Sequence, residues 1–241
     1  MVKVAACQIK ISEDTDKNLK KILKYLEEAG KKNIDIICFP EKSLQWHNIP
    51  YPNLNSHLEK IGVVCKKYSM YCLVGGIVYD NKKKINNLYL INRKGKIQAT
   101  HSKVNLFYME KQLGFYKAGK RMTVVKTDFG KIGLSVCWDN ADPNLIKKLS
   151  TSGAEIIFAA MHLNDWKQMG YSLPDWPQTR AFENMSYYVW VDQFKTHKSS
   201  SKSYILHPQK IIKSIENKEG IIYSDIDLTE IKNLRKQFGL P

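Results

Sequence analysis

Short apolar runs alternate with stretches of helical period along the whole of this 241-residue chain, and several of the runs come in pairs across tight turns. Residues 2–9 alternate as a strand, and 16–29 carry Leu19, Ile22, Leu23 and Leu26 at the spacing of one helix face. Residues 34–39 read as a short buried strand that ends on Pro40-Glu41. A second helix fits 56–68, and strands fit 71–79, 87–92 and 96–103, with a hairpin turn at Arg93-Lys94-Gly95-Lys96. Residues 123–128 and 132–137 make another hairpin around Phe129-Gly130-Lys131. A helix at 143–152, a strand at 155–160, a helix at 174–186 with Pro174 suited to its first turn, and a strand at 187–193 follow. Strands at 202–206, 210–215 and 220–226 and a short helix at 228–236 complete the pattern. Such interleaving predicts a layered α/β domain, and the hairpins argue against a purely parallel, doubly wound sheet. With no Pro/Gly/Ser-rich linker and no repeat, residues 1–241 read as a single domain.

Composition narrows the partners. The net charge of +15 raises the question of nucleic acid, but only four of the 38 basic residues are arginine and the lysines are spread along the chain rather than gathered in a stripe. No nucleic-acid role is expected. The first ten residues lack the pattern of a signal peptide, and no apolar run reaches the ~18 residues of a membrane span, so no membrane role and a cytoplasmic location are expected. The five cysteines (Cys7, Cys38, Cys65, Cys72, Cys137) are odd in number, form no CxxC pair and show no Cys/His metal spacing. A reducing compartment follows as an expectation, and the missing ligand spacings agree with a reaction that needs no metal and no organic cofactor.

Three polar residues end apolar runs: Glu41, Lys103 and Cys137. Functional groups gather at strand ends in layered α/β proteins because the sheet fixes them and the loops leave access. Each also has a plain structural reading: a carboxylate favoured at a helix N-terminus, one of many solvated lysines, and a core thiol.

The motifs around them resemble those of the carbon–nitrogen hydrolase (nitrilase-like) superfamily. Phe39-Pro40-Glu41, Ser102-Lys103-Val104-Asn105-Leu106-Phe107 and Gly133-Leu134-Ser135-Val136-Cys137-Trp138-Asp139 are similar to its three signatures, in order. Val4-Ala5-Ala6-Cys7-Gln8, Asn86, Gly153-Ala154-Glu155 and Arg180-Ala181-Phe182-Glu183-Asn184 resemble supporting segments, so the likeness spans about residues 2 to 236. Departures are Asn105 in place of a frequent histidine, Ser201-Lys202-Ser203 without the usual glycine, and Val191-Asp192-Gln193-Phe194 without an Ala-Asn pair.

The resemblance implies a four-layer α-β-β-α sandwich, a homodimer or higher homo-oligomer, and hydrolysis of a non-peptide C–N bond in a small amide or N-carbamoyl compound. Cys137 would be nucleophile, Glu41 base, and Lys103 the cation that favours the thiolate and steadies the oxyanion with the Trp138 N–H. Glu110 would help place the lysine and substrate; Trp138, Asp139 and His162 are expected at the substrate, with loops near 45–55, 108–116, Asn140 and 161–166 supplying the pocket. Three other readings compete. A true nitrilase would use the same groups on a C≡N bond, and a non-catalytic member would act as a binding protein. A Cys–His hydrolase would recruit His101, which shares a strand face with Lys103.

Overall fold

The computed structural model describes residues 1–45, 54–163, 176–196 and 201–240. The chain begins with β1 (Val2–Gln8), α1 (Thr15–Lys31), β2 (Ile36–Cys38), α2 (Leu54–Tyr68) and the meander β3 (Tyr71–Asp80), β4 (Lys83–Ile91) and β5 (Ile97–Ser102). A short helix α3 (Tyr108–Gln112), β6 (Thr123–Lys126), β7 (Lys131–Val136), a 3-10 turn at Cys137–Ala141 and α4 (Pro143–Thr151) follow. The remainder is β8 (Ile156–Ala160), α5 (Trp176–Glu183), β9 (Tyr187–Val191), β10 (Lys202–His207), β11 (Lys210–Glu216), β12 (Gly220–Ile226) and α6 (Leu228–Gln237).

The strands form two six-stranded sheets, ordered β12-β1-β2-β3-β4-β5 and β11-β10-β9-β8-β7-β6. Each has three parallel strands at its centre (β1, β2, β3 and β7, β8, β9) and antiparallel strands outside them. The parallel centres need crossover helices and the flanks need only hairpins, which is why both sequence patterns occur in one chain. Strand alternation then assigns the layers. In β1, Val4 and Ala6 join Leu73, Leu88 and Leu90 in a core shared with Ile132, Leu134 and Val136 of the other sheet. Ala5 and Cys7 point the other way, onto Leu19, Ile22 and Leu26 of α1 and Leu58, Ile61 and Cys65 of α2. Each such buried aliphatic side chain contributes about 1.5–3 kcal/mol. Ile146 and Leu149 of α4 and Ala181 of α5 cover the second sheet, which completes the layered α-β-β-α sandwich.

Helix starts follow local chemistry. Asp14 caps α1 by accepting from the Asp16 and Lys17 N–H groups, Asp142 caps α4 ahead of Pro143, and Asp227 caps α6. All five cysteines are free and buried. Among the described residues no helix is long and apolar enough to cross a membrane.

The expected elements are present with boundary shifts of a few residues. The largest is at β4, which starts at Lys83 because the β3–β4 ladder runs out to Asp80↔Lys83, beyond the apolar stretch. Helix α5 starts at Trp176 with Pro177 in its first turn; Pro174 lies outside the described residues. Two elements were not anticipated, α3 and the 3-10 turn, because five residues are too few to display a period. The second matters: strand β7 stops at Val136, so Cys137 stands on the turn and not on the strand.

Candidate active site

The strand ends converge. Glu41 lies just past β2, on a loop pressed against β3. A Cβ on Gly75 would sit 2.4 Å from the Lys42 nitrogen and 3.1 Å from the Pro40 carbonyl oxygen, so only glycine admits this approach. Hydrogen bonds hold the loop there: Leu44 N–H donates to Gly75 O at 3.0 Å, and Gly75 N–H donates to Ser43 Oγ at 2.9 Å. The Glu41 N–H reaches Met161 O, at the end of β8, at 3.2 Å, which ties the two sheets together at the site.

Lys103 follows β5, its N–H donating to Asn86 O at 2.9 Å. Its ammonium lies 3.0 Å from Glu41 Oε1 and 2.9 Å from Glu110 Oε2, and Lys103 and Glu41 are each only 2 % exposed. Asn86 Nδ2 donates to the same Glu41 Oε1 at 2.5 Å. Glu110, on α3, also accepts the Phe107 N–H at 2.9 Å and sits 3.4 Å from the Lys42 ammonium. The plain reading of Lys103 as a solvated surface lysine is thereby set aside.

Burial alone would raise the Glu41 carboxyl, but the Lys103 and Lys42 charges and the donors Lys103 and Asn86 outweigh it and hold the group below the usual carboxylate range. Burial likewise works against the Lys103 ammonium, yet the Glu41 and Glu110 carboxylates hold it well above the usual lysine range. Cys137 goes the opposite way from the sequence-based expectation. Burial pushes its thiol up, Glu41 adds to this, and Lys103 offsets only part, so the resting group is a thiol rather than a thiolate.

The cysteine turn is held from several sides. Cys137 has φ +45°, left-handed backbone that a non-glycine residue adopts only when its surroundings impose it. Asn140 Nδ2 donates to Cys137 O at 2.9 Å and closes the turn. Asn140 O in turn accepts from Arg180 Nε at 2.8 Å and Trp176 Nε1 at 3.0 Å, and its side-chain oxygen accepts from Ser135 Oγ at 3.1 Å and from the Tyr188 hydroxyl. Asn140 was expected in the pocket; it is fully buried and braces the turn. This network also accounts for Arg180, whose guanidinium carries the α5 motif to the site.

Asp139, expected at the substrate, has both carboxylate oxygens turned into the protein. Oδ1 accepts from the N–H groups of Val104 (3.0 Å) and Asn105 (2.7 Å), and Oδ2 accepts from Val136 N–H (2.9 Å) and faces His101 Nε2 at 2.9 Å. His101 Nδ1 lies 3.1 Å from Thr123 Oγ1. The pairing assigns the Nε2–H tautomer, with Nδ1 accepting the threonine hydroxyl. Both ring nitrogens are thus engaged, and the Cys–His reading of His101 loses its base. Asn105, where a histidine is frequent, donates to Trp138 O at 3.1 Å and so joins the same connection between the lysine and cysteine segments. The Trp138 ring packs edge-on against Phe107, centroids 4.9 Å apart. His162 meets Cys137 through its backbone, Cys137 Sγ lying 4.0 Å from His162 O.

Three residues near the site were not singled out from the sequence. Asp192, past β9, is buried and its carboxyl is pushed up to about 7, by burial first and with a contribution from Glu41. Lys42 and Lys84 are the others. A lysine among 34 gives no signal of its own, whereas an acid directly after the apolar run 187–191 is a strand-end signal of the kind that marked Glu41. The expected loops near 45–55 and 161–166 lie largely outside the described residues, which include only 45, 54–55 and 161–163 of them.

The chain matches the carbon-nitrogen hydrolase family over residues 3–236 and belongs to that family. Its relatives include amidases. It is 23 % identical to the omega-amidase NIT2 of Mus musculus, over 99 % of this chain and 93 % of that protein. Among solved structures it is similar to Nit3 of Saccharomyces cerevisiae, a member of branch 10 of the nitrilase superfamily (TM-score 0.85, 22 % identity, covering 98 % of this chain and 93 % of that one). It is also similar to the amidase from Nesterenkonia sp. AN1, solved with acrylamide added at its active-site cysteine (TM-score 0.84, 14 % identity, covering 99 % and 98 %). The fold these structures share is the layered sandwich described above.

Proposed function

We propose that this carbon–nitrogen hydrolase is an amidase that cleaves a small amide or N-carbamoyl compound through an acyl thioester on Cys137, with Glu41 as base and Lys103 as charge-stabilising cation. The observation that carries this reading is the Lys103 ammonium shared by Glu41 and Glu110 in a nearly water-free place, beside a cysteine on a strained turn. An active-site cysteine carries the acrylamide adduct in the Nesterenkonia amidase, whose fold this chain shares.

The chemistry follows from the charges. Because the thiol is protonated at rest and Glu41 ionised, the proton passes from Sγ to Glu41 as Sγ bonds to the carbonyl carbon. The carbonyl π electrons move to oxygen, and the oxyanion is met by the Lys103 ammonium and the Trp138 N–H. Glu41 returns its proton to the nitrogen as the C–N bond breaks, ammonia leaves, and the acyl group stays on sulfur. Glu41 then takes a proton from water, whose oxygen attacks the thioester, and Cys137 leaves with that proton. Glu110 holds Lys103 in place, and Asp139 holds the two catalytic segments together.

Ammonia release from a panel of small amides, N-carbamoyl compounds and nitriles tests the bond class, and intact mass after rapid acid quench tests the thioester. Turnover of an amide with an acyl adduct that vanishes in Cys137→Ala is expected. Turnover that survives Cys137→Ala would overturn the assignment.

A further inference from the structure

Two asparagines follow each other on β4 and leave opposite faces of the strand. Asn87 is satisfied at both ends of its amide: Nδ2 donates to the Tyr89 hydroxyl at 3.0 Å, and Oδ1 accepts the Ser102 hydroxyl at 2.7 Å. Asn86 is not. Its Nδ2 donates to Glu41 Oε1 at 2.5 Å, while its Oδ1 is buried and accepts from no group among the described residues. A buried acceptor left unmet is destabilising, and an apolar side chain of similar size would avoid it. Packing alone therefore gives no reason for an amide at this position, and the reason lies with its N–H.

Asn86 touches both members of the catalytic ion pair. Its backbone carbonyl accepts the Lys103 N–H at 2.9 Å, and its side chain reaches the same Glu41 oxygen that the Lys103 ammonium meets at 3.0 Å. Strand β4 pairs with β5 up to Asn87↔Ser102, so one residue of β4 sets where Lys103 begins and also grips its partner. Both donors converge on Oε1, and among the described residues none reaches Oε2. The reverse orientation of the amide would set Oδ1 against a carboxylate, so the N–H assignment follows from the charge. An ammonium and an amide N–H only donate, which disfavours a proton on Oε1 and favours one on Oε2.

We propose that Asn86 is a positioning residue: with Lys103 it pins Glu41 Oε1, which fixes the rotation of the carboxylate and leaves Oε2 to take the proton from Cys137 and return it to the leaving nitrogen. This rests on the amidase reading above and adds which oxygen acts and what aims it. The S–H bond breaks as Oε2–H forms, and Oε2–H breaks as the nitrogen takes the proton and the C–N bond cleaves.

Asn86→Leu removes the donor together with the unmet acceptor, and Asn86→Asp keeps the shape without the N–H. Each should lower kcat by roughly tenfold or more, part of the 10²–10⁴-fold that a positioned general base supplies, with KM changed far less. The pH profile separates aim from folding. Burial raises the Glu41 carboxyl, and the Lys103 and Lys42 charges with the Lys103 and Asn86 donors hold it low. Lys103, Lys42, Glu110, Cys137 and Asp192 stay in both variants, so loss of the Asn86 donor should move the acid limb of kcat/KM to higher pH. Near-normal kcat with the wild-type acid limb in Asn86→Asp would overturn the proposal. So would a lower melting temperature in Asn86→Leu with kcat and the profile unmoved. If wild type turns over no amide, the amidase reading fails by itself, and the rate of Cys137 alkylation by iodoacetamide, read by intact mass, takes the place of kcat/KM. An acid limb displaced to higher pH in the variants then supports the role of Asn86, and an undisplaced one overturns it.

Discussion

The Lys103 ammonium and the Glu41 carboxylate meet at 3.0 Å with both side chains almost wholly removed from solvent. A buried pair of this kind adds little net stability, but removing one partner is costly because the other charge stays behind. Here Lys103 serves two carboxylates at once, so its removal leaves Glu41 without its ion-pair partner and Glu110 with Lys42 alone.

Lys103→Met should lower kcat by on the order of 10²–10³-fold, the loss seen when an oxyanion donor is removed. It should also change the pH dependence of stability. The Glu41 carboxyl is held below its ordinary value in the folded protein, so it contributes stability above the unfolded pKa of about 4.3 and loses it as pH falls through the folded value. Without Lys103, burial is opposed only by Lys42 and Asn86, so the stability that Glu41 ionisation contributes as pH rises should shrink in the variant, and its melting temperature should gain less than wild type's between about pH 4 and 7. Kinetics and thermal melts across pH check both parts; near-normal kcat would remove Lys103 from the mechanism.

Asp139→Asn tests the connection between the lysine and cysteine segments. One amide cannot accept from Val104, Asn105 and Val136 together, because its NH₂ side meets a donor. Destabilisation of about 1–3 kcal/mol is expected with a fall in kcat, since Lys103 and Cys137 lose their common anchor. Denaturant melts and kcat measure these; unchanged kcat would restrict Asp139 to a stability role.

Gly75→Ala should damage activity more than stability. The added methyl meets the Lys42 nitrogen at 2.4 Å, and the loop carrying Glu41 has to shift. Small displacements of a catalytic group cost up to about 10²-fold in rate. Comparison of kcat/KM with melting temperature checks this, and full activity would show that the loop tolerates the shift.

Asp192→Asn should flatten a pH dependence of stability. The Asp192 carboxyl titrates near 7 in the folded protein against about 3.9 unfolded, so the folded state holds a proton the unfolded state has released. Wild-type stability therefore falls between about pH 4 and 7 from this group and changes no further above. Asparagine keeps an oxygen for the Leu163 and Gln193 N–H groups, and the variant should melt higher than wild type at pH 8, with little difference at pH 4. An unchanged difference across that range would show that Asp192 does not titrate there.

The sequence by itself determined the α/β layering, because periods of two and of three to four residues alternate along the chain and each dictates its element. It also singled out Glu41, Lys103 and Cys137, since strand-end position and motif are local properties. What it could not show were relationships between distant segments. Gly75 and Lys42 meet only because β3 lies beside the Glu41 loop, and Asp139 braces Lys103 only because the two sheets bring residues 104–105 and 136–139 together. Whether the Cys137 thiol is raised or lowered was likewise beyond the sequence: Lys103 alone would lower it, but burial and Glu41 prevail. The tertiary structure decided these points because electrostatics and close approach depend on distance and on the exclusion of water, and neither is a property of residue order.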